Sequence, residues 1–233
     1  MPQDESLPVV GILMLESRFP RIPGDIGNPK TWEFPVKYEI VQDATPYKVV
    51  CDRAKGLLKN FVEAGNRLAE GGAGVLTTSC GFLSIYQEEL SRELPVPVLS
   101  SSLMQVGLVN QILPPGQQAG VLTISSSSLS KEHLQLAGVP DNTPIGTTEG
   151  GQEFTRVILN DEPDLDVDKA RQDNLEAALQ LKNENPQMGA IVLECTNMSP
   201  YARDIALLTG LPVFGIVTLV NWLRAGLVPN SFR

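Results

Sequence analysis

The stretch Gly74-Val75-Leu76-Thr77-Thr78-Ser79-Cys80 is a short apolar run that passes into small polar residues. This pattern predicts a buried strand that ends in a loop, with Cys80 in the loop. A second stretch of the same kind, Gly189-Ala190-Ile191-Val192-Leu193-Glu194-Cys195, follows later in the chain. The two cysteines, at positions 80 and 195, are 115 residues apart.

The same offset of 115 residues recurs at other positions. It relates Tyr86 to Tyr201, and Pro97-Val98 to Pro212-Val213. A register kept without gaps over about 25 positions indicates an internal duplication. Each half is therefore expected to place one cysteine at the end of a strand.

The composition is ordinary for a globular protein: 233 residues, 42% hydrophobic and 19% charged, with a net charge of −9. An acidic chain without a block of Lys and Arg argues against nucleic acid or an anionic membrane surface as a partner. The N-terminus is polar, without a signal-peptide pattern, and no apolar run approaches the ~20 residues of a membrane span. Three widely spaced cysteines (Cys51, Cys80 and Cys195) fit neither a disulfide framework nor a metal site. We expect a cytoplasmic protein with free thiols and no metal.

Strands alternate with helices along the chain, which predicts an α/β fold with parallel sheets covered on both faces. Besides the two cysteine strands, the predicted strands are Pro8–Leu15, Val36–Val41, Pro95–Leu99, Ala119–Ile124, Thr143–Thr148 and Pro212–Val217. The predicted helices are Arg53–Glu70, Ser84–Leu94, Ser101–Leu113, Leu129–Leu136, Lys169–Asn183, Pro200–Thr209 and a last helix through Trp222. Phe154–Leu159 is compatible with either a helix or a strand. The architecture that follows is two pseudosymmetric lobes with the active site in the cleft between them.

Both cysteines are predicted to follow a strand and to precede a helix. A thiolate is the reactive form of cysteine, and its pKa falls near the N–H groups of a helix N-terminus. The same N–H groups can hold a carboxylate or a developing oxyanion. Two thiols that face one carbon from opposite sides can invert a stereocentre, one as base and the other as acid. Cys80 and Cys195 are therefore the candidate catalytic residues, whereas Cys51 has no counterpart in the other half.

Around these cysteines the chain resembles the aspartate/glutamate/hydantoin racemase superfamily. Cys195-Thr196-Asn197, followed by Pro200, is similar to the family's second motif, and Thr77-Thr78-Ser79-Cys80 is similar to the first. The resemblance covers nearly the whole chain in architecture, but only two stretches of under ten residues in motif. It implies a C-terminal helix that returns to the first lobe, and thus a first lobe of residues 1–100 and 216–233 and a second lobe of residues 101–215.

The resemblance also implies a cofactor-independent enzyme, often a homodimer, whose loops around both cysteines hold a small carboxylate or hydantoin-like substrate. The substrate-binding residues it implies are Ser79, Gly81, Phe82, Thr196, Asn197 and Ser125. The chain departs from the amino-acid racemases of the family, which commonly have Asn-Thr after the first cysteine where Gly81-Phe82 stands here. Glutamate racemases have His in place of Asn197. Phe82 is expected either to line a pocket for a less polar substrate or to pack in the core.

The function predicted from these residues is a racemase or epimerase, hence an isomerase, that uses both cysteines in a two-base mechanism. Within the same superfamily, maleate isomerases and arylmalonate decarboxylases resemble the pattern and remain alternatives. A two-lobed small-molecule binding module is the non-enzyme alternative.

Three other features bear on the site. The 18-residue loop 18–35 follows the first strand and is expected to lie over the cleft, where Arg18 and Arg21 would either pair with an anionic substrate or lie solvated. Glu149 ends a predicted strand and is a second candidate to enter the cleft. His133, the only histidine, lies in a polar helix and is predicted to be solvent-exposed.

Overall fold

The computed structural model describes residues 8–230. Its first sheet contains β1 (Val9–Leu15), β2 (Val36–Val41), β3 (Ala73–Thr78) and β4 (Val98–Leu99), in the order β2-β1-β3-β4. Its second sheet contains β5 (Gln118–Thr123), β6 (Ile145–Thr147), β7 (Met188–Leu193) and β8 (Val213–Phe214), in the order β6-β5-β7-β8. Every pairing is parallel. The predicted α/β fold with two parallel sheets is confirmed.

Helices connect the strands. They are α1 (Pro46–Val50), α2 (Leu58–Glu70), α3 (Gln87–Glu93), α4 (Val106–Ile112), α5 (Lys131–Leu136), α6 (Phe154–Leu159), α7 (Val167–Glu184), α8 (Ala202–Thr209) and α9 (Ile216–Leu227). Short 3₁₀ segments cover Pro29–Thr31, Gly81–Tyr86, Ser102–Gln105 and Thr196–Tyr201. Within residues 8–230, none of these helices has the length and apolar character needed to span a membrane.

The duplication is visible in the element boundaries. Shifted by 115 residues, β3 coincides with β7, β4 with β8, and the 3₁₀ segment Gly81–Tyr86 with Thr196–Tyr201. All six residues of β7 are buried, as expected for a parallel strand covered on both faces. The two cysteines therefore occupy equivalent places in the two halves.

Two apolar clusters hold the molecule together. The larger cluster contains side chains from both sheets, including Leu13, Leu76, Val121 and Ile191. In the smaller cluster, Ile216, Leu219 and Val220 of α9 pack against alternate residues of β1, namely Val10, Ile12 and Met14. The last helix thus packs on the first sheet, and the division into lobes of residues 1–100 with 216–233 and of residues 101–215 stays a prediction.

Several element boundaries differ from the sequence prediction for local reasons. Helix α2 begins at Leu58 rather than Arg53, because Arg53 and Ala54 have φ angles of 57° and 54° and Gly56 has a φ of 80°. These left-handed conformations cannot continue a right-handed helix. The strand predicted at Pro212–Val217 is only the two residues of β8, since α9 starts at Ile216. The ambiguous segment Phe154–Leu159 is helix α6.

Candidate active site

Each candidate cysteine is the residue that caps a 3₁₀ segment after a buried strand. Cys80 precedes Gly81–Tyr86 and Cys195 precedes Thr196–Tyr201, both with extended backbone. Hydrogen bonding from the backbone N–H of Phe82 lowers the pKa of the Cys80 thiol, and that from Asn197 lowers the pKa of the Cys195 thiol. Such bonds favour the thiolate. The expected position between a strand end and the N-terminus of a helical turn is thus present in both halves.

Burial outweighs those bonds in the free protein. It raises the pKa of both thiols, and the nearby Glu194 carboxylate raises both further. The Cys195 pKa is also raised by Cys80, which places the two sulfurs in each other's electrostatic field. Both cysteines are therefore thiols at neutral pH in the free protein.

The two cysteines line one small cavity. Its volume is about 20 Å³, the room that one water molecule needs. The wall is mainly apolar and comes from both halves: Leu15, Phe19, Pro46, Val50, Ser79, Cys80, Phe82, Ile124, Ile158, Glu194, Cys195 and Asn197. A substrate of several heavy atoms enters this space only after the surrounding loops move apart.

The loop at residues 18–35 closes over this cavity, as its position after β1 predicts. Phe19 lines the wall, and the backbone N–H groups of Arg18 and Phe19 donate to Oδ1 of Asp161, at 2.5 and 3.2 Å. The Arg18 guanidinium also pairs with Asp161, at 3.1 Å. Asp161 follows α6 in the second half, so this contact ties the two halves together across the cavity. The greater mobility expected of the loop stays a prediction.

The same loop reaches Cys195 through a chain of polar contacts. The Cys195 thiol donates to Oδ1 of Asn197 at 3.4 Å, and Asn197 Nδ2 donates to Oδ2 of Asp25 at 2.6 Å. The other oxygen of Asp25 accepts from Arg21 at 2.9 Å and from the Gly27 N–H at 2.7 Å. Asp25 is almost fully buried. It lies in an irregular loop with no periodic pattern, which is why sequence reasoning did not identify it.

Glu194 is the second site residue that sequence reasoning missed. It precedes Cys195 and is fully buried. Its Oε2 accepts from the Thr123 hydroxyl at 2.7 Å, whereas Oε1 has no hydrogen-bond partner among the described residues. Burial raises the pKa of Glu194 to about 7, against the lowering effect of Thr123 and of the Ile124 N–H. A Glu at the end of an otherwise apolar strand was the available signal.

The structure places the six predicted substrate-binding residues in three groups. Ser79, Phe82 and Asn197 line the cavity. Thr196 lies behind it and donates to the Ser79 carbonyl at 2.7 Å, and Gly81 packs against Glu194. Substrate contact by all six stays a prediction.

Ser125, the sixth of these residues, belongs to a serine loop that surrounds the Glu149 carboxylate. Ser125 and Ser126 donate to Glu149 at 2.8 and 2.9 Å, as does the Ser127 N–H at 3.0 Å. Burial alone would raise the pKa of Glu149, but these bonds outweigh it and lower the pKa to about 2. Ser125 therefore holds a carboxylate of the protein itself.

His133 is buried, not exposed, which corrects the sequence prediction. Its Nδ1 lies 2.7 Å from the Ser130 hydroxyl at the start of α5, and its ring meets the Phe82 ring edge-on at 5.3 Å between centroids. Burial lowers its pKa to about 4, so it is neutral at physiological pH. It supports the Phe82 side of the cavity rather than forming a catalytic set with a cysteine.

Gly81 is required for the approach of the two cysteine loops. A methyl group on Gly81 would fall on the carbonyl and carboxylate oxygens of Glu194. We expect Gly81→Ala to destabilise the protein by about 1–3 kcal/mol and to lower activity, because the clash displaces Cys80 from the cavity. Thermal unfolding and turnover measure the two effects. Gly226→Ala is the control, since a methyl group there meets nothing within 4 Å; equal behaviour of the two variants would contradict the close approach.

Among residues 8–230, no group of three or more His, Cys, Asp or Glu side chains has the geometry of a metal site. The titratable groups in the cavity wall are the two thiols and Glu194, with Asp25 and Arg21 behind Asn197. This set can transfer protons to and from a small bound molecule.

Sequence comparisons relate the chain to lyases. No family model matches it. A dimethylsulfoniopropionate lyase from Durusdinium sp. clade D is 29% identical over 230 residues, which are 95% of this chain and 75% of that protein. Dimethylsulfoniopropionate lyases 5 and 3 from Emiliania huxleyi (strain CCMP1516) are 26% and 28% identical over 96% of this chain. The chain spans only 46% and 61% of their lengths.

Structural comparisons relate the fold to racemases and a decarboxylase. Allantoin racemase from Klebsiella pneumoniae superposes with a TM-score of 0.65 at 14% identity, over 96% of this chain and 91% of that one. Arylmalonate decarboxylase superposes with a TM-score of 0.60 at 14% identity, over 97% of this chain and 95% of that one. Picrophilus torridus aspartate racemase superposes with a TM-score of 0.55 at 14% identity, over 94% of each chain. The chain has the fold of the aspartate/glutamate racemase superfamily, which confirms the resemblance at the level of the fold.

These findings correct the predicted activity. The prediction of a racemase or epimerase, and so of an isomerase, is wrong, because the curated sequence relatives are lyases. The decarboxylase-like alternative agrees better with these relatives. A decarboxylase, like a lyase of this kind, breaks a bond to carbon and does not invert a centre.

Proposed function

We propose that this chain is a lyase that cleaves dimethylsulfoniopropionate or a close sulfonium carboxylate by β-elimination. The observation that carries the proposal is that two buried thiols, one from each half, line a single closed and mainly apolar cavity. Curated relatives matching 95–96% of the chain are dimethylsulfoniopropionate lyases, which gives the substrate class.

The proposed reaction needs one base. Dimethylsulfoniopropionate carries a carboxylate on the α-carbon and a dimethylsulfonium group on the β-carbon. A thiolate takes a proton from the α-carbon, the electron pair forms the carbon–carbon double bond, and the bond between the β-carbon and sulfur breaks. The products are acrylate, neutral dimethyl sulfide and the proton held by the thiol.

The cavity suits the cationic end of such a substrate. Phe82 presents an aromatic ring to the cavity, and sulfonium methyl groups match the apolar wall formed by Leu15, Val50 and Ile124. A cation near an aromatic face in a desolvated site is stabilised by about 2 kcal/mol or more. The same positive charge favours the thiolate over the thiol, which offsets the burial that raises the pKa of both cysteines. Substrate binding and activation of the base are therefore linked.

The carboxylate end of the substrate would be held by the first N–H groups of the two 3₁₀ segments, with the Ser79 hydroxyl beside them. N–H groups at the start of a helical turn favour an anion. As the α-proton leaves, negative charge spreads onto the carboxylate, and donors aimed at it lower the barrier. This arrangement accounts for elimination in a cavity of thiols and apolar side chains.

The test is an incubation of the protein with dimethylsulfoniopropionate. We expect dimethyl sulfide in the headspace by gas chromatography and acrylate in equal amount by NMR. Dimethylsulfonioacetate, which has no β-carbon and so no elimination route, is the negative control substrate. Absence of both products, or their formation at the wild-type rate by a variant that lacks both Cys80 and Cys195, would overturn the proposal.

A further inference from the structure

Elimination and racemisation differ in what they do with protons, and the difference demands a residue that a racemase does not need. A racemase takes one proton from its substrate and returns one, so its two thiols together hold the same number of protons before and after a turnover. The elimination proposed above leaves one proton on the base thiol in every turnover. That thiol must lose the proton before it can act again, although burial raises its pKa. A proton acceptor inside the closed site would take this proton from the thiol in spite of its raised pKa.

Glu194 has the position of such an acceptor. It is adjacent to Cys195 in the chain, and its Oε1 faces Gly81, the residue after Cys80. Oε1 is buried and has no hydrogen-bond partner among the described residues, while Oε2 is held by Thr123. A buried carboxylate oxygen without a donor is costly, and such a group is retained where it has a chemical task.

The other carboxylates near the cavity lack this freedom. Both oxygens of Asp25 are bonded, to Arg21 and Gly27 on one side and to Asn197 on the other. Both oxygens of Glu149 are bonded to the serine loop. Glu194 alone of these three has an oxygen open to a new proton.

We propose that Glu194 accepts the proton of the base thiol once in each turnover and so restores the thiolate. This inference rests on the proposed lyase function. In the step, the thiol S–H bond breaks and an O–H bond forms at Oε1 of Glu194. This transfer takes place when the next substrate binds, because its sulfonium group then supplies the positive charge that holds the thiolate while Glu194 is neutral. The thiolate takes up the α-proton of that substrate, and Glu194 releases its own proton to solvent when the products leave.

Electrostatics agree with this role. The Glu194 charge raises the pKa of both thiols, so it is coupled to each of them. The other charged groups that act on the thiols are Arg21, which lowers the pKa of Cys80, and Asp25, which raises that of Cys195. The pKa of Glu194 itself lies at about 7, where a group accepts and releases protons readily at neutral pH. Since it must be ionised to accept, activity should rise with pH through about 7.

The test is the isosteric variant Glu194→Gln, which keeps an acceptor for the Thr123 hydroxyl. We expect its turnover to fall by about 10²-fold or more, and the rise of kcat through pH 7 to disappear. Glu194→Asp retains a carboxylate and is expected to keep a pH-dependent rise with partial activity. Glu153→Gln is the matched control, because Glu153 is also buried but bonds Arg156 and the Asp166 N–H away from the cavity. Its pH profile should equal that of the wild type.

Alkylation by iodoacetamide gives a second readout that does not depend on turnover. Removing the Glu194 charge lowers the pKa of both thiols, so Cys80 and Cys195 in Glu194→Gln should be labelled several-fold faster than in the wild type. Cys51, on which Glu194 has no resolved effect, is the internal reference in the same mass spectra. A variant that had merely lost packing would speed the labelling of all three cysteines and leave the pH rise in place.

The outcomes separate this inference from the proposed function. A wild type that cleaves no dimethylsulfoniopropionate overturns the proposed function and this step with it. A wild type that cleaves it, with the same pH rise in Glu194→Gln, overturns only the role of Glu194. Unchanged labelling of Cys80 and Cys195 in that variant contradicts the coupling of Glu194 to the thiols, whatever the substrate.

Discussion

Cys80→Ala and Cys195→Ala are expected to lose lyase activity to unequal extents. The cysteine that acts as base should account for a loss of about 10³-fold or more, since a positioned base contributes about 10²–10⁴-fold. The sulfide leaves as a neutral molecule and needs no proton, so the other thiol contributes only contacts with the substrate. Its loss should cost about 10-fold, the value of roughly one hydrogen bond. Steady-state release of dimethyl sulfide by both variants measures the difference.

The two alanine variants also assign the roles. The variant with the 10³-fold loss lacks the base, and the variant with the 10-fold loss keeps it. Cys51→Ala is the control, because Cys51 lies outside the cavity wall and should turn over at the wild-type rate. Equal losses of 10³-fold in both variants would show that both thiols react, and wild-type rates in both would show that neither does.

Asp25→Ala is expected to have the largest effect on stability. The substitution leaves Arg21 without the partner that it contacts at 2.9 Å, in a place where the two side chains are only 13% and 4% exposed. It also removes the acceptor for Asn197 and for the Gly27 N–H. Breaking a buried pair on one side costs about 3–5 kcal/mol, and the partial exposure of Arg21 favours the lower figure. In a chain of this size we expect the midpoint of thermal unfolding to fall by about 6–12 °C.

The matched control for Asp25→Ala is Asp204→Ala. Asp204 pairs with Arg171 at 3.0 Å, but both side chains are 41% exposed. An exposed pair of this kind contributes under about 1 kcal/mol. Asp25→Ala should further reduce turnover, since Asn197 loses its anchor beside Cys195. A similar small shift for both variants would mean that the loop at residues 18–35 is held by its other contacts, the pairing of Arg18 with Asp161 among them.

The sequence predicted the parts of the site that repeat. The offset of 115 residues matched Cys80 with Cys195 because the strand, the cysteine and the following 3₁₀ turn form one unit in each half. The apolar run before each cysteine was sufficient to predict this unit, since parallel strands are buried along their whole length. The fold class and the place of both cysteines therefore followed from pattern alone.

The parts of the site that do not repeat escaped prediction. At the same offset, Glu194 corresponds to Ser79, so the comparison of the halves gave no reason to single it out. Asp25 lies in a loop whose path is set by distant contacts, with Asn197 on the other half of the chain. The predicted reaction failed for the same reason: symmetry suggested two equivalent thiols, whereas the groups that surround them are different.

The room for a single water between the thiols has a consequence for measured affinity. Only the opened form of the protein admits a substrate, so the apparent Kd equals the intrinsic Kd divided by the fraction of molecules that are open. The contact of Arg18 and Phe19 with Asp161 helps to set that fraction. Ligand affinity can thus be changed by residues at the rim of the cavity that do not touch the ligand. A tighter closure slows the entry of a ligand and excludes water more completely from the two thiols.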